Sequence, residues 1–173
     1  MAQIQQIQIK FVAVEDRLLL RVSSSDELEF RFWLTRRFVK LITPAIENAL
    51  KGSPTVLTQA SPIAKKEVFA FEHQKAVNNS DFKTPFKESP KQLPLGSDPI
   101  LLAKLQMRRN ADGTMTMALA PEQGAGIDLA LNPNLLHSLA ELVSNGIRLA
   151  EWDITSTLAQ PMADELPDNQ TIN

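Results

Sequence analysis

Apolar and polar residues alternate near the start of the chain. Ile7, Ile9, Phe11 and Ala13 are interleaved with Gln6, Gln8 and Lys10, the period-two pattern of a half-buried strand. Glu15-Asp16 marks a turn, after which Leu18, Leu20 and Val22 alternate with Arg17 and Arg21. The cluster Ser23-Ser24-Ser25-Asp26 turns the chain again, and Leu28, Phe30 and Phe32 alternate with Glu27, Glu29 and Arg31. These residues predict a three-stranded antiparallel meander with one apolar face.

The period changes at Thr35, a candidate N-cap. Phe38, Val39, Leu41, Ile42, Ala45, Ile46, Ala49 and Leu50 then form a wide helical stripe opposite Lys40, Glu47 and Asn48, with Gly52 as the stop. Pro44 interrupts this helix. An interior proline removes one hydrogen bond and crowds the preceding turn, so a kink near Thr43 or two short helices in line are expected.

The second half repeats the order. Leu101, Ala103, Leu105 and Met107 alternate with Leu102, Lys104, Gln106 and Arg108; Asn110-Ala111-Asp112-Gly113 is a hairpin turn; Met115, Met117 and Leu119 alternate with Thr114, Thr116 and Ala118. Ile127, Leu129 and Leu131 form a third strand, and Asn132-Pro133 then supplies an N-cap with proline in the first helical position. Leu135, Leu136, Leu139, Leu142, Val143, Ile147 and Ala150 make the apolar stripe. Setting Thr35 against Asn132 superposes the two helical patterns. Both internal duplication and the generic form of a strand followed by an amphipathic helix explain this.

The expected fold is therefore α+β: two antiparallel three-stranded meanders, each followed by an amphipathic helix (βββα-βββα). Units 1–52 and 99–153 are joined by a proline-punctuated connection, 53–98, within one domain, 1–156. The connection should carry a short helix over 64–77, although Val68-Phe69-Ala70-Phe71 alone would also suit a strand. Ser80 to Gly96 should be an irregular strap pinned by Phe82 and Phe86. Residues 157–173, acidic and proline-containing, read as a disordered tail.

Composition narrows the function classes. A 43% hydrophobic content is enough for a real core at 173 residues. The absence of cysteine excludes disulfides and thiolate chemistry. A net charge of -2 argues against a whole-molecule grip on DNA or anionic membrane but leaves room for a local basic patch. No signal peptide or membrane-spanning run is visible, so a soluble, cytoplasmic protein is expected.

The strings Glu15-Asp16-Arg17-Leu18-Leu19-Leu20-Arg21 and Glu29-Phe30-Arg31-Phe32-Trp33-Leu34-Thr35-Arg36-Arg37, with Ala150-Glu151-Trp152, resemble a family of bacterial conserved proteins of unknown function. The resemblance implies a bacterial protein. It transfers no catalytic residue.

Little in the sequence suggests catalysis. His73 and His137 lie in no metal-ligand spacing, and His137 with Glu141 falls off the helical stripe, which places them toward solvent. Gly124-Ala125-Gly126 precedes a strand instead of opening a helix, as a dinucleotide site would require. No catalytic residue, cofactor or metal is expected, and the chain reads as a non-enzyme.

Two surfaces invite a binding role. Lys10, Arg17, Arg21, Arg31, Lys104 and Arg108 share the polar side of their strands with Trp33, and Arg36 and Arg37 occupy the first turn of a helix, where each cation costs roughly 0.3–1 kcal/mol. Lys10, Arg17, Arg21, Arg31, Trp33, Arg36 and Arg37 are thus candidates for anion or single-stranded nucleic-acid binding; cross-strand pairing with carboxylates explains the same charges without a ligand. Ala45, Ala49, Gly146 and Ala150 suggest a close helix contact, within the chain or across a homodimer axis. A non-enzymatic module that binds another protein or a second copy of itself is the leading expectation, and nucleic-acid binding the alternative.

Overall fold

In a computed structural model, which describes residues 3–88, 92–157 and 170–173, the first alternating segment forms β1 (Ile4–Val12), β2 (Arg17–Ser24) and β3 (Glu29–Leu34). The strands pair antiparallel in sequence order, with Leu18 opposite Phe11 on one side and Leu34 on the other. Asp16 turns the first hairpin at φ 49°, a left-handed conformation that a short polar side chain tolerates.

The period change at Thr35 is a helix start. The Thr35 hydroxyl accepts a hydrogen bond from the Phe38 amide (3.2 Å) and caps α1 (Arg36–Lys51). Pro44 does not divide this helix, contrary to expectation. Pro44 and Lys40, whose carbonyl loses its partner to the proline ring, are both on the exposed side, and the buried Thr43 hydroxyl donates to the Val39 carbonyl (2.8 Å). The apolar stripe also departs from its expected limits. Leu41 is 50% exposed, whereas Glu47 is buried, its carboxylate accepting from the Ser156 hydroxyl and from both the amide and hydroxyl of Thr157.

The connection is more ordered than its prolines suggest. It forms α2 (Pro54–Leu57) and α3 (Pro62–Asn78), capped by Ser53 and Ser61 with proline following each cap. The strap from Ser80 to Glu88 is pinned by Phe82 and Phe86, both buried as expected. The second half then gives β4 (Ile100–Leu101), β5 (Lys104–Arg109), β6 (Met115–Ala120), β7 (Ile127–Leu131) and α4 (Pro133–Leu149), with Asn132 capping α4.

The fold is α+β, with a meander of β5, β6 and β7 followed by a helix. The alternation expected from Leu101 to Met107 breaks in the middle. β4 leaves the meander and pairs parallel with β3, while the Ala103 amide bonds to the Ala120 carbonyl and starts the second sheet. In that switch Leu102 turns inward and Leu101 outward, the reverse of the simple alternation.

A second departure lies in the segment read as a disordered tail, 157–173. Residues 158–169 lie outside the described residues, but β8 (Gln170–Ile172) pairs antiparallel with β1 and buries Thr171 and Ile172. The larger sheet therefore runs β4-β3-β2-β1-β8.

The two halves share one hydrophobic core, and their helices do not stay with their own strands. α4 packs on β1 and β8 as well as on α1, α3 and β7; α1 touches β5 and β3. Gly146 shows why α4 can approach so closely. A Cβ there would stand 2.9 Å from Leu18 Cδ1 and 3.2 Å from Ile9 Cγ2, so the glycine makes room for the sheet and not for another helix. The expected small-residue helix contact is thus corrected at Gly146. Ala45, Ala49 and Ala150 are half-buried, and the Ala49 carbonyl accepts from Arg109 of β5 (2.6 Å). Gly146→Leu should destabilise the chain by on the order of 3 kcal/mol through overpacking, read as a lower midpoint of urea unfolding.

Candidate functional site

The outer face of the larger sheet carries five of the sequence-predicted residues in ladder order. Gln6, Ser23 and Glu29 form one rung; Gln8, Arg21 and Arg31 form the next; Lys10, Leu19, Trp33 and Leu101 form a third, with Arg17 beyond. Lys104 and Arg108 are in the other sheet and do not join this face.

The strap covers the first two rungs. Gln6 accepts from the Lys87 amide (2.9 Å) and donates to the Pro85 carbonyl, and the Phe86 ring lies 4.1 Å from the Arg21 guanidinium. Glu29, 3% exposed, accepts from Arg21 Nε (2.8 Å) and Arg31 Nε (2.7 Å), and Arg21 forks onto the Glu88 carboxylate at 2.6 and 2.9 Å. Burial alone would raise the Glu29 carboxyl and lower the Arg21 guanidinium. The hydrogen bonds and opposite charges outweigh it, leaving Glu29 below and Arg21 above their ordinary values. Gln6, Gln8 and Glu29, read from sequence as solvent-facing, are buried, with the strap on Gln6 and Thr171 of β8 beside Gln8.

The third rung lies next to the two that the strap covers. Leu19 and Trp33 are half-buried, Leu101 is 46% exposed, and Lys10 stands exposed at the end of the rung. Arg17 makes a loose surface pair with Glu15 (3.7 Å).

At the start of α1 the two arginines part company. Arg36 reaches Asp16 (3.4 Å) and sits 5.5 Å from the Trp152 ring, whose indole N–H donates to the same carboxylate (2.8 Å). This is the compensation that a cation in a first helical turn requires, supplied by the hairpin turn and not by Glu29. Arg37 is exposed and lies outside this cluster.

A second constellation appears where the sequence pointed to solvent. His137 is 4% exposed and Glu141 is buried beside it, because α3 lies across that side of α4. His73 Nδ1 is 3.1 Å from His137 Nδ1, and His73 Nε2 is 3.3 Å from Glu141 Oε2. An ionised carboxylate only accepts, so His73 Nε2 carries a proton; a neutral His73 then accepts at Nδ1 and His137 donates from its own Nδ1. Burial, with His73 adding to it, pushes His137 down to about 4. The neighbouring Ser138 hydroxyl donates to the Asn134 carbonyl and pairs with the Ser80 hydroxyl, away from the rings. Among the described residues no group of three or more His, Asp or Glu side chains is placed to hold a metal ion. The missed signal was on α3. Phe69, His73, Ala76 and Val77 make a narrow helical stripe that docks on the polar side of α4.

Comparison of the chain with protein-family profiles, with curated protein sequences and with solved structures finds no match. Among the described residues no helix is long and apolar enough to cross a membrane.

Two outcomes follow from these groups. The folded state disfavours protonated His137, so stability is complete above the ordinary histidine value of 6.5 and is lost as pH falls toward about 4. The loss should reach on the order of 3 kcal/mol, and His137→Gln should flatten this part of a urea-unfolding series taken from pH 7.5 to 4.5. Glu29 acts in a separate, lower window, because its depressed carboxyl contributes stability that disappears only below the usual carboxylate range. Glu29→Ala should cost about 3 kcal/mol at pH 7 by leaving Arg21 and Arg31 short of their shared partner.

Proposed function

We propose that the protein is a non-enzymatic protein-binding module whose docking surface is the open half of the larger sheet's outer face. The observation that carries this reading is the apolar row Leu19, Trp33 and Leu101, next to the rungs that the strap covers and bordered by Lys10 and Arg17. A tryptophan flanked by aliphatic side chains is the usual anchor of a protein interface, and a basic border favours a partner segment that carries carboxylates beside its apolar residues. Two of the arginines that a nucleic-acid strand would use are already engaged. Arg21 is tied to Glu29 and Glu88 and roofed by Phe86, and Arg31 shares Glu29.

Peptides selected from a random display library against the full chain should combine aromatic or aliphatic residues with Asp or Glu, and should shift the Trp33 fluorescence to the blue. Trp33→Glu and Leu101→Glu should each weaken that binding at least tenfold with little change in melting temperature. Selected peptides that bind both variants as well as the native chain would overturn the reading. So would salt-sensitive binding of a labelled single-stranded oligonucleotide that is lost in Lys10→Glu/Arg17→Glu, which assigns the same face to nucleic acid.

A further inference from the structure

The free edge of β1 does not remain open, and the way it is closed resembles recognition of a peptide more than the continuation of a sheet. Residues 170–173 lie along it as an extended segment read side chain by side chain. Ile172 faces Ile7 across the ladder and enters the core at 4% exposure. Thr171, fully buried, faces Gln8 and accepts from its Nε2 (3.2 Å). The Asn173 carboxamide donates to the backbone carbonyls of Asp81 (3.2 Å) and Thr84 (3.1 Å) and accepts from Gln6. Backbone pairing along one edge, alternate side chains in separate environments and a polar clamp at one end are the elements of strand addition, in which the ladder gives affinity and the pockets give specificity.

These contacts come from β1 and the strap, not from residues next to the segment in sequence. The slot is therefore preformed by elements that have other reasons to be ordered. β1 is held by β2, and the strap by Phe82, Phe86 and the Arg21 pairs. Attachment to the same chain only raises the segment's local concentration. The recognised sequence is present on every copy of the protein.

We infer that the edge of β1 is a strand-accepting slot for Thr171-Ile172-Asn173, and that its exchange partner is the same segment of a second copy. This goes beyond the outer-face reading and does not depend on it, since the Leu101 end of that face belongs to β4, at the opposite edge of the sheet.

The test uses full-length Ile172→Asp, whose own segment carries a charge that the apolar pocket rejects, and a fluorescent six-residue peptide of the native sequence from Asp168 to Asn173. Anisotropy should show saturable binding to the variant, at least tenfold weaker binding to the native chain, and none by a peptide carrying the same Ile172→Asp change. Sedimentation of the native chain mixed with the variant at high concentration should then reveal a mixed dimer, the native segment filling the variant's slot. A variant with native circular dichroism that binds no peptide overturns the slot. Equal binding by both chains overturns it too, because the site would lie elsewhere. Peptide binding without any mixed dimer overturns the second copy as occupant. Should Ile172→Asp fail to fold, Ile172→Ala, which only shortens the side chain, supports the same comparison.

Discussion

A helix buried on nearly every side has to satisfy its polar residues inside the protein, and α4 sets this condition for the whole chain. From Leu136 to Val143 every residue is buried, and Asn145, Gly146 and Ile147 follow. One side meets β1 and β8, another meets α1, and the polar side meets α3. Each of these neighbours supplies something that α4 alone lacks: Leu18 and Ile9 fill the space at Gly146, and His73 bonds to both His137 and Glu141. An unpaired polar group there would cost about 1–3 kcal/mol, so α3 contributes partners and not merely cover.

Seen from α4, the arrangement of the other elements follows. The larger sheet needs an apolar cover on its inner face, and α4 with α1 provides it in one shared core. The outer face is settled separately by the strap, which closes over the polar rungs next to the Lys10, Leu19, Trp33 and Leu101 row. The two faces of the sheet are thus covered by different segments of the chain. Changes in one need not disturb the other.

The strands, the caps and the period changes were readable in the sequence because they are local. Thr35 and Asn132 accept from amides three residues on, and the alternation of β1 to β3 depends only on which face is apolar. What the sequence hid was non-local cover. Gln6, Gln8, Glu29, Glu47, His137 and Glu141 all have the pattern of solvent-facing residues, and each is buried by a segment distant in sequence. Periodicity identifies the polar side of an element but not whether another element lies on it. The same holds for the candidate residues: alternation puts Lys10, Arg17, Arg21, Arg31 and Trp33 on one face, as the ladder does, whereas Lys104 and Arg108 lie in the other sheet, and no local pattern anticipates the strap over that face. The residue switch at Leu101 and Leu102 and the pairing of β8 were hidden for the same reason.

The placement of α4 also bears on how the chain acquires its structure. β1 to β3 are made before α4, yet the inner side of β1 and β2 is completed by that helix, which begins only at Pro133. Contacts of such long sequence separation slow folding, since the intervening loop must be closed before they reward it. During synthesis at about 5–20 residues per second, the nascent meander presents Ile7, Ile9, Leu18 and Leu20 without α4 for several seconds. Until α4 follows, the inner surface of the meander lacks the helix that completes it.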